Sequence, residues 1–260
     1  MQRSVLYNFG FATAVCVVCA VVVSSAAVLL KARQDTNAAL DKQRNVLVAA
    51  GLAKSDEKLS RGEIEARFAP VEPILIDLQT GETVTGADAA SYDQHTASMN
   101  VSSSRPAPQN AALVQRLPNR ALIYALAAES GETDLYVFPV EGKGLWGTLY
   151  GFLALDADLQ TVRGITFYEH KETPGLGGEV DNPRWKALWA GRQAFDENGV
   201  PVISVIKGRA GTPEEDPHHV DGLSGATMTS RGVGTLVQFW LGENGFGPFL
   251  ERLRAAHKEA

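Results

Sequence analysis

Between Phe9 and Leu30 the chain carries no charged residue. At about 1.5 Å per residue, that run of roughly 22 residues spans about 33 Å as a helix, enough for a bilayer core. Its centre, around Val15 to Val23, is more apolar than its end at Ser24-Ser25-Ala26-Ala27. The small residues there imitate a signal-peptide cleavage site. The apolar stretch is longer than a usual signal core, however, and only Arg3 precedes it, so a retained anchor is expected, with membrane lipid around residues 9–30. Ala32, Ala39, Leu40, Val46, Leu47 and Ala50 then recur near helical spacing, predicting a stalk over 31–54. Ser60 with Glu63 is a capping-box signature that opens a short helix through Phe68.

After Pro70 and Pro73 the period changes. Ile74-Leu75-Ile76 reads as a strand running into a turn at Gln79-Thr80-Gly81-Glu82. Residues 85–112, rich in Ala, Ser, Asn and Pro, lack periodicity and are expected to be irregular. Four strands are predicted beyond them: Ala121–Ala127, Leu135–Val140, Gly147–Asp156 and Val162–Tyr168, with turns at 141–144 and 156–158. Asn182-Pro183 opens a helix through Leu188, with proline in its first turn. Val202–Lys207 reads as another strand, and helices near 230–241 and 248–256 close the chain. The predicted class is α+β: an antiparallel or mixed sheet with flanking helices, preceded by a single N-terminal transmembrane helix. Three regions follow from this: an anchor over 1–33, a stalk and extended first part over 34–120, and a chemistry-bearing domain over 121–260.

Composition changes the picture in two places. The 260 residues are 45% hydrophobic and 21% charged, with a formal net charge of −6. No basic stripe with interleaved aromatics occurs, which excludes a nucleic-acid partner. Both cysteines, Cys16 and Cys19, lie in the apolar run. Their spacing allows a metal or redox pair, but within a membrane helix they read as packing residues. Arg3 precedes the apolar run and Lys31 and Arg33 follow it, a count that slightly favours a cytoplasmic C-terminal part.

The candidate chemistry lies in Asp221-Gly222-Leu223-Ser224-Gly225-Ala226-Thr227-Met228-Thr229-Ser230. A Gly/Ser/Thr loop ahead of a helix offers free backbone N–H groups and hydroxyls to a phosphate. The same residue types also serve simply as helix caps. There is no Gly-Lys-Ser/Thr phosphate loop and no dinucleotide fingerprint. A second segment, His170-Lys171-Glu172-Thr173-Pro174-Gly175-Leu176-Gly177-Gly178, reads on its own as a surface turn. Lys207, at the end of its strand, offers a cation. Trp146 and Tyr150 offer rings that are more often core. His218-His219 lacks further ligands at metal spacing, and no catalytic residue or nucleophile triad is evident.

Asp221 to Thr227 resembles the flavinylation motif of the covalent FMN-binding domain family. The resemblance implies that Thr227 accepts FMN as a phosphoester installed by a separate flavin transferase, with Thr229 and Ser230 as neighbouring hydroxyls of lower rank. It places Ser224, Gly225 and Ala226 against the cofactor and leaves Asp221 to recognition or loop ordering. Glu172-Thr173-Pro174-Gly175-Leu176-Gly177 is similar to that family's second signature, which makes Glu172, Thr173, Leu176 and Gly177 candidate ring and ribityl contacts. Over nearly the whole chain the layout resembles the C-subunit family of sodium-translocating NADH:quinone oxidoreductases. That likeness implies an electron carrier among other subunits of a bacterial inner-membrane complex, with its flavin domain facing the periplasm, against the charge count. NADH would be oxidised on a different subunit. The G subunit of ion-translocating ferredoxin:NAD oxidoreductases shares both signatures but is usually shorter between Ser60 and Arg120. A tethered binding or assembly protein without redox activity is the alternative of a different class.

Overall fold

A computed structural model describes residues 5–86, 88–89, 92–128 and 133–259. The chain divides into two compact units between Lys42 and Gln43. The first unit holds most of helix α1 (Val5–Ala49), whose apolar part is long enough to cross a membrane and buries nothing against protein. The helix stops five residues short of the predicted end of the stalk. Gly51, with φ +74°, supplies the left-handed turn that ends it.

The second unit is built on five antiparallel strands, in the order β1 (Val71–Asp77), β4 (Arg120–Ala127), β5 (Thr133–Lys143), β6 (Thr148–Asp156) and β7 (Val162–Glu169). The register sets Ile74 opposite Ile123, Phe138 opposite Leu153, and Leu153 opposite Ile165. Side chains alternate between the two faces along each strand, and the consecutive buried residues of β4 and β6 show that both faces are covered there. Leu149, Leu153 and Leu155 point into a core shared with Leu236, Val237 and Trp240 of α5 (Thr227–Leu241) and with Phe249 and Leu250 of α6 (Gly247–Glu259). On the opposite face Phe152 meets Tyr124, and Phe68 of α2 (Arg61–Phe68) packs on Tyr124 in turn. The end of α1 reaches the sheet at Gly164, where a methyl group would lie 2.7 Å from the Ala49 carbonyl oxygen. The capping box that opens α2 is present: Ser60 N–H donates to Glu63 Oε2 at 2.8 Å.

Several local expectations are corrected. The turn predicted at 141–144 lies at 144–147, because Glu141, Gly142 and Lys143 continue the ladder against Tyr150, Leu149 and Thr148. Gly142 is a close-approach glycine rather than a turn glycine, since a Cβ there would sit 2.5 Å from Leu236 Cβ. The 85–112 segment is not wholly irregular. It holds α3 (Gln94–Met99), capped by Asp93, and β2 (Ser104–Pro106), which pairs with β3 (Arg116–Pro118). The strand predicted over 202–207 shrinks to β8 (Ser204–Val205), which runs parallel to β9 (His219–Val220) outside the main sheet. A short helix, α4 (Pro183–Ala187), is capped by Asn182 as expected, and α5 begins three residues earlier than expected, at Thr227.

Candidate functional site

The loop from Asp221 to Ala226 is fixed by hydrogen bonds that its sequence makes available. Asp221 Oδ1 accepts the Ala210 N–H at 2.9 Å, and the Asp221 carbonyl accepts the indole N–H of Trp185 at 2.8 Å. Gly222 N–H donates to the Gly208 carbonyl at 2.8 Å, and any side chain at 222 would strike the Ile206 carbonyl oxygen. Leu223 N–H donates to Ser230 Oγ at 2.9 Å, which closes the loop over the first turn of α5. Gly225 turns the chain with φ +72°, and Ala226, itself buried, is an N-cap without a side-chain acceptor. The first-turn N–H groups of α5 are therefore left without a side-chain cap, at the end of the helix that favours negative charge.

Three neighbouring hydroxyls now separate. Thr227 is exposed at the first helical position. Thr229 is fully buried and donates to Glu172 Oε2 at 2.5 Å. Ser230 is 4% exposed and engaged by Leu223 N–H.

Thr227 opens onto a cleft of about 610 Å³, lined by residues 204–209, the loop at 221–225 and one face of α5. That volume lies within the range of ligand pockets, roughly 300–1,000 Å³. Lys207, Arg209 and Arg231 line it, and the one lining carboxylate among the described residues, Asp221, is already held by the Ala210 N–H. The cleft is thus cationic in a chain whose net charge is −6. Of the three cations, the sequence singles out Lys207 alone. Arg231 follows Thr227 by four residues, a helical spacing that puts both on one face and that emerges only because α5 begins at Thr227. Arg209, on an irregular loop, carries no such signal.

The second motif meets the first at two points. A methyl on Gly225 would lie 2.9 Å from Leu176 Cδ2, and Glu172 receives the Thr229 hydroxyl. Glu172 does not present its carboxylate to the cleft. It is 6% exposed, and its second oxygen accepts the Trp146 N–H at 2.9 Å. Gly177 and Gly144 leave room for that carboxylate, since a Cβ on either would come within 2.4 Å or 2.5 Å of its oxygens. The Thr173 carbonyl accepts the N–H groups of Leu176 and Gly178, folding the loop on itself. Leu176 is 44% exposed. Leu145, Trp146 and Met228 are exposed as well, whereas Tyr150 packs edge-on against His95 on the sheet. Ser224, Gly225, Thr227 and Lys207 line the cleft, whereas Glu172, Thr173, Leu176 and Gly177 do not; the second motif reaches the first through Leu176 at Gly225 and Glu172 at Thr229. His218 and His219 pair separately, with the Gln193 carbonyl and with Asp216, and among the described residues no group of three or more His, Cys, Asp or Glu is placed to hold a metal.

Residues 144–242 match the family model of the FMN-binding domain. The chain is 48% identical over 242 residues to the C subunit of the Na(+)-translocating NADH-quinone reductase of Yersinia pestis, covering 92% of this chain and 89% of that one. It is 44% identical over 257 residues to the C subunit of the Pseudomonas aeruginosa reductase, covering 97% of each. The crystal structure of Shewanella oneidensis NqrC superposes with a TM-score of 0.74 at 39% identity, over 83% of this chain and 97% of that one.

Proposed function

Because this chain belongs to the C-subunit family of Na(+)-translocating NADH-quinone reductases, we propose that it is the electron-carrying member of such a complex, with FMN joined through its phosphate to Thr227 Oγ1. The observation that carries this reading is the contrast among the three hydroxyls. Of the three, only Thr227 is exposed, and it lines the cationic cleft beside Ser224, while Thr229 and Ser230 are buried and hydrogen-bonded. When bound, FMN supplies electron exchange in single or paired steps. A phosphodiester on Thr227 keeps one negative charge, which the start of α5 and the side chains of Lys207, Arg209 and Arg231 are disposed to neutralise.

Ser224, Gly225 and Ala226 keep the loop small beside the cofactor, and Gly225 also admits Leu176. Leu176, Leu145, Trp146 and Met228 are exposed apolar side chains that would cover a planar ring, and Thr173 is an exposed polar residue of the same loop as Leu176. Glu172 and Gly177 act from beneath, by locking the 144–147 turn and α5 together. A flavin transferase can reach the exposed Thr227 hydroxyl. The apolar helix anchors the chain in the lipid of the bacterial inner membrane, with the second unit on the periplasmic side among the other subunits. NADH is oxidised elsewhere in the complex, and the isolated chain does not turn it over.

The test is a pair of variants expressed beside an active flavin transferase. Thr227→Ala removes the fluorescent band seen under ultraviolet light on a denaturing gel, and Thr229→Val retains it. A fluorescent Thr227→Ala band overturns the assignment.

A further inference from the structure

Behind the second motif lies a line of polar groups that cofactor binding does not require, buried at Asn45 and Thr166, nearly so at Lys186, and open to solvent at Asp181. Lys186 of α4 has a side chain only 11% exposed. Burial pulls its ammonium below the usual lysine range, nearby Arg44 pulls the same way, and Asp181 opposes them. Lys186 Nζ donates to Thr166 Oγ1 at 3.0 Å, and Thr166, fully buried in β7, donates in turn to Asn45 Oδ1 at 3.4 Å. Asn45 belongs to the last turns of α1 and is 6% exposed. On its other side the ammonium faces Asp181 Oδ1 at 3.8 Å, and Asp181 Oδ2 meets His170 Nε2 at 2.8 Å. His170 Nδ1 accepts the Glu172 N–H at 3.2 Å, so the ring proton sits on Nε2 and is donated to Asp181.

The line therefore runs without a break from the foot of α1 to the residue whose carboxylate holds Thr229 and the 144–147 turn. A buried ammonium is costly to keep, and an apolar side chain of similar length would fill the same space at less cost. Its geometry, with one neutral partner on the α1 side and one acid on the loop side, is that of a tie between two segments.

We infer that Lys186 is a positioning residue: through Thr166 and Asn45 on one side, and Asp181 and His170 on the other, it fixes the 170–178 loop of the cofactor site to the foot of α1. The ion pair sets the loop's position, and Leu176 and Glu172 carry that position to Gly225 and α5. As a statement about the cofactor, this rests on the FMN reading above. As a statement about the loop, it does not.

The experiment uses the full-length flavinylated protein and its Lys186→Met, Asp181→Asn and doubly substituted forms. Amide exchange read by mass spectrometry is expected to accelerate about tenfold or more at 170–178 and at 45–49 in either single variant. Strands β1 and β4 should exchange as before, and the double variant should be no worse than the worse single. The visible circular dichroism of the flavin changes in step with the loop. Unchanged exchange at 170–178, acceleration spread uniformly over the sheet, or a loosened loop with unaltered flavin dichroism each overturns the positioning role. Should the protein carry no FMN at all, the cofactor reading fails separately, while loosening of 170–178 still upholds the tie.

Discussion

Thr227 and Thr229 are two positions apart and chemically identical, yet they occupy opposite environments. The family resemblance ranks Thr227 first, and in the fold Thr229 is the donor to a buried carboxylate. Glu172 shows the reverse case. The sequence marks it as part of a cofactor-lining string, but whether a glutamate points toward a ligand or inward depends on its neighbours in space, here Trp146 and Thr229 from distant parts of the chain. Glu141 gives a prediction at this scale. Burial raises its carboxyl above the usual range, opposed by His95. A folded-state pKa above the unfolded one favours folding while the acid is protonated, and that contribution is lost as pH rises through the folded value. Glu141→Gln should therefore raise the melting temperature at pH 7, and the gain should vanish near pH 4, as thermal unfolding at the two values will show.

At the level of elements, long periodic stretches were legible, as were the short helices α2 and α4 through their caps, whereas α3, β2 and β3 were not. The five sheet strands, α2 with its capping box and the two closing helices all follow from the pattern of apolar positions. The misplaced hairpin turn has a specific cause. Gly142 reads as a turn glycine because a sequence shows the missing side chain but not what takes its place, which is Leu236 of α5, whose Cβ lies 2.5 Å from where a methyl on Gly142 would stand. Both atoms of that contact are fixed by backbone, so Gly142→Ala should cost about 1–3 kcal/mol. For a domain of this size each kcal/mol lowers the melting temperature by roughly 2–4 °C. A variant melting with the parent would show that β5 and α5 are not held at this distance. A strand containing β8 was read from the sequence, but β9 and its parallel pairing with β8 stayed hidden, because two residues are too few to show a period.

For the molecule as a whole, the chain separates an apolar helix unit from a domain with its own core, and composition along the sequence already showed that contrast. What composition concealed is the local sign of charge. A chain of net charge −6 holds a cleft with three lysine and arginine side chains, gathered from a loop after β8 and from α5, at the place where an anionic group is proposed to be attached. That attachment is the centre of the account, and mass spectrometry of the proteolytic peptide bearing Thr227, Met228 and Thr229, from protein made with its flavin transferase, tests it most directly. The account predicts the added mass of an FMN phosphoryl group localised to Thr227 with Thr229 unmodified. An unmodified peptide, or the added mass on Thr229, would contradict it.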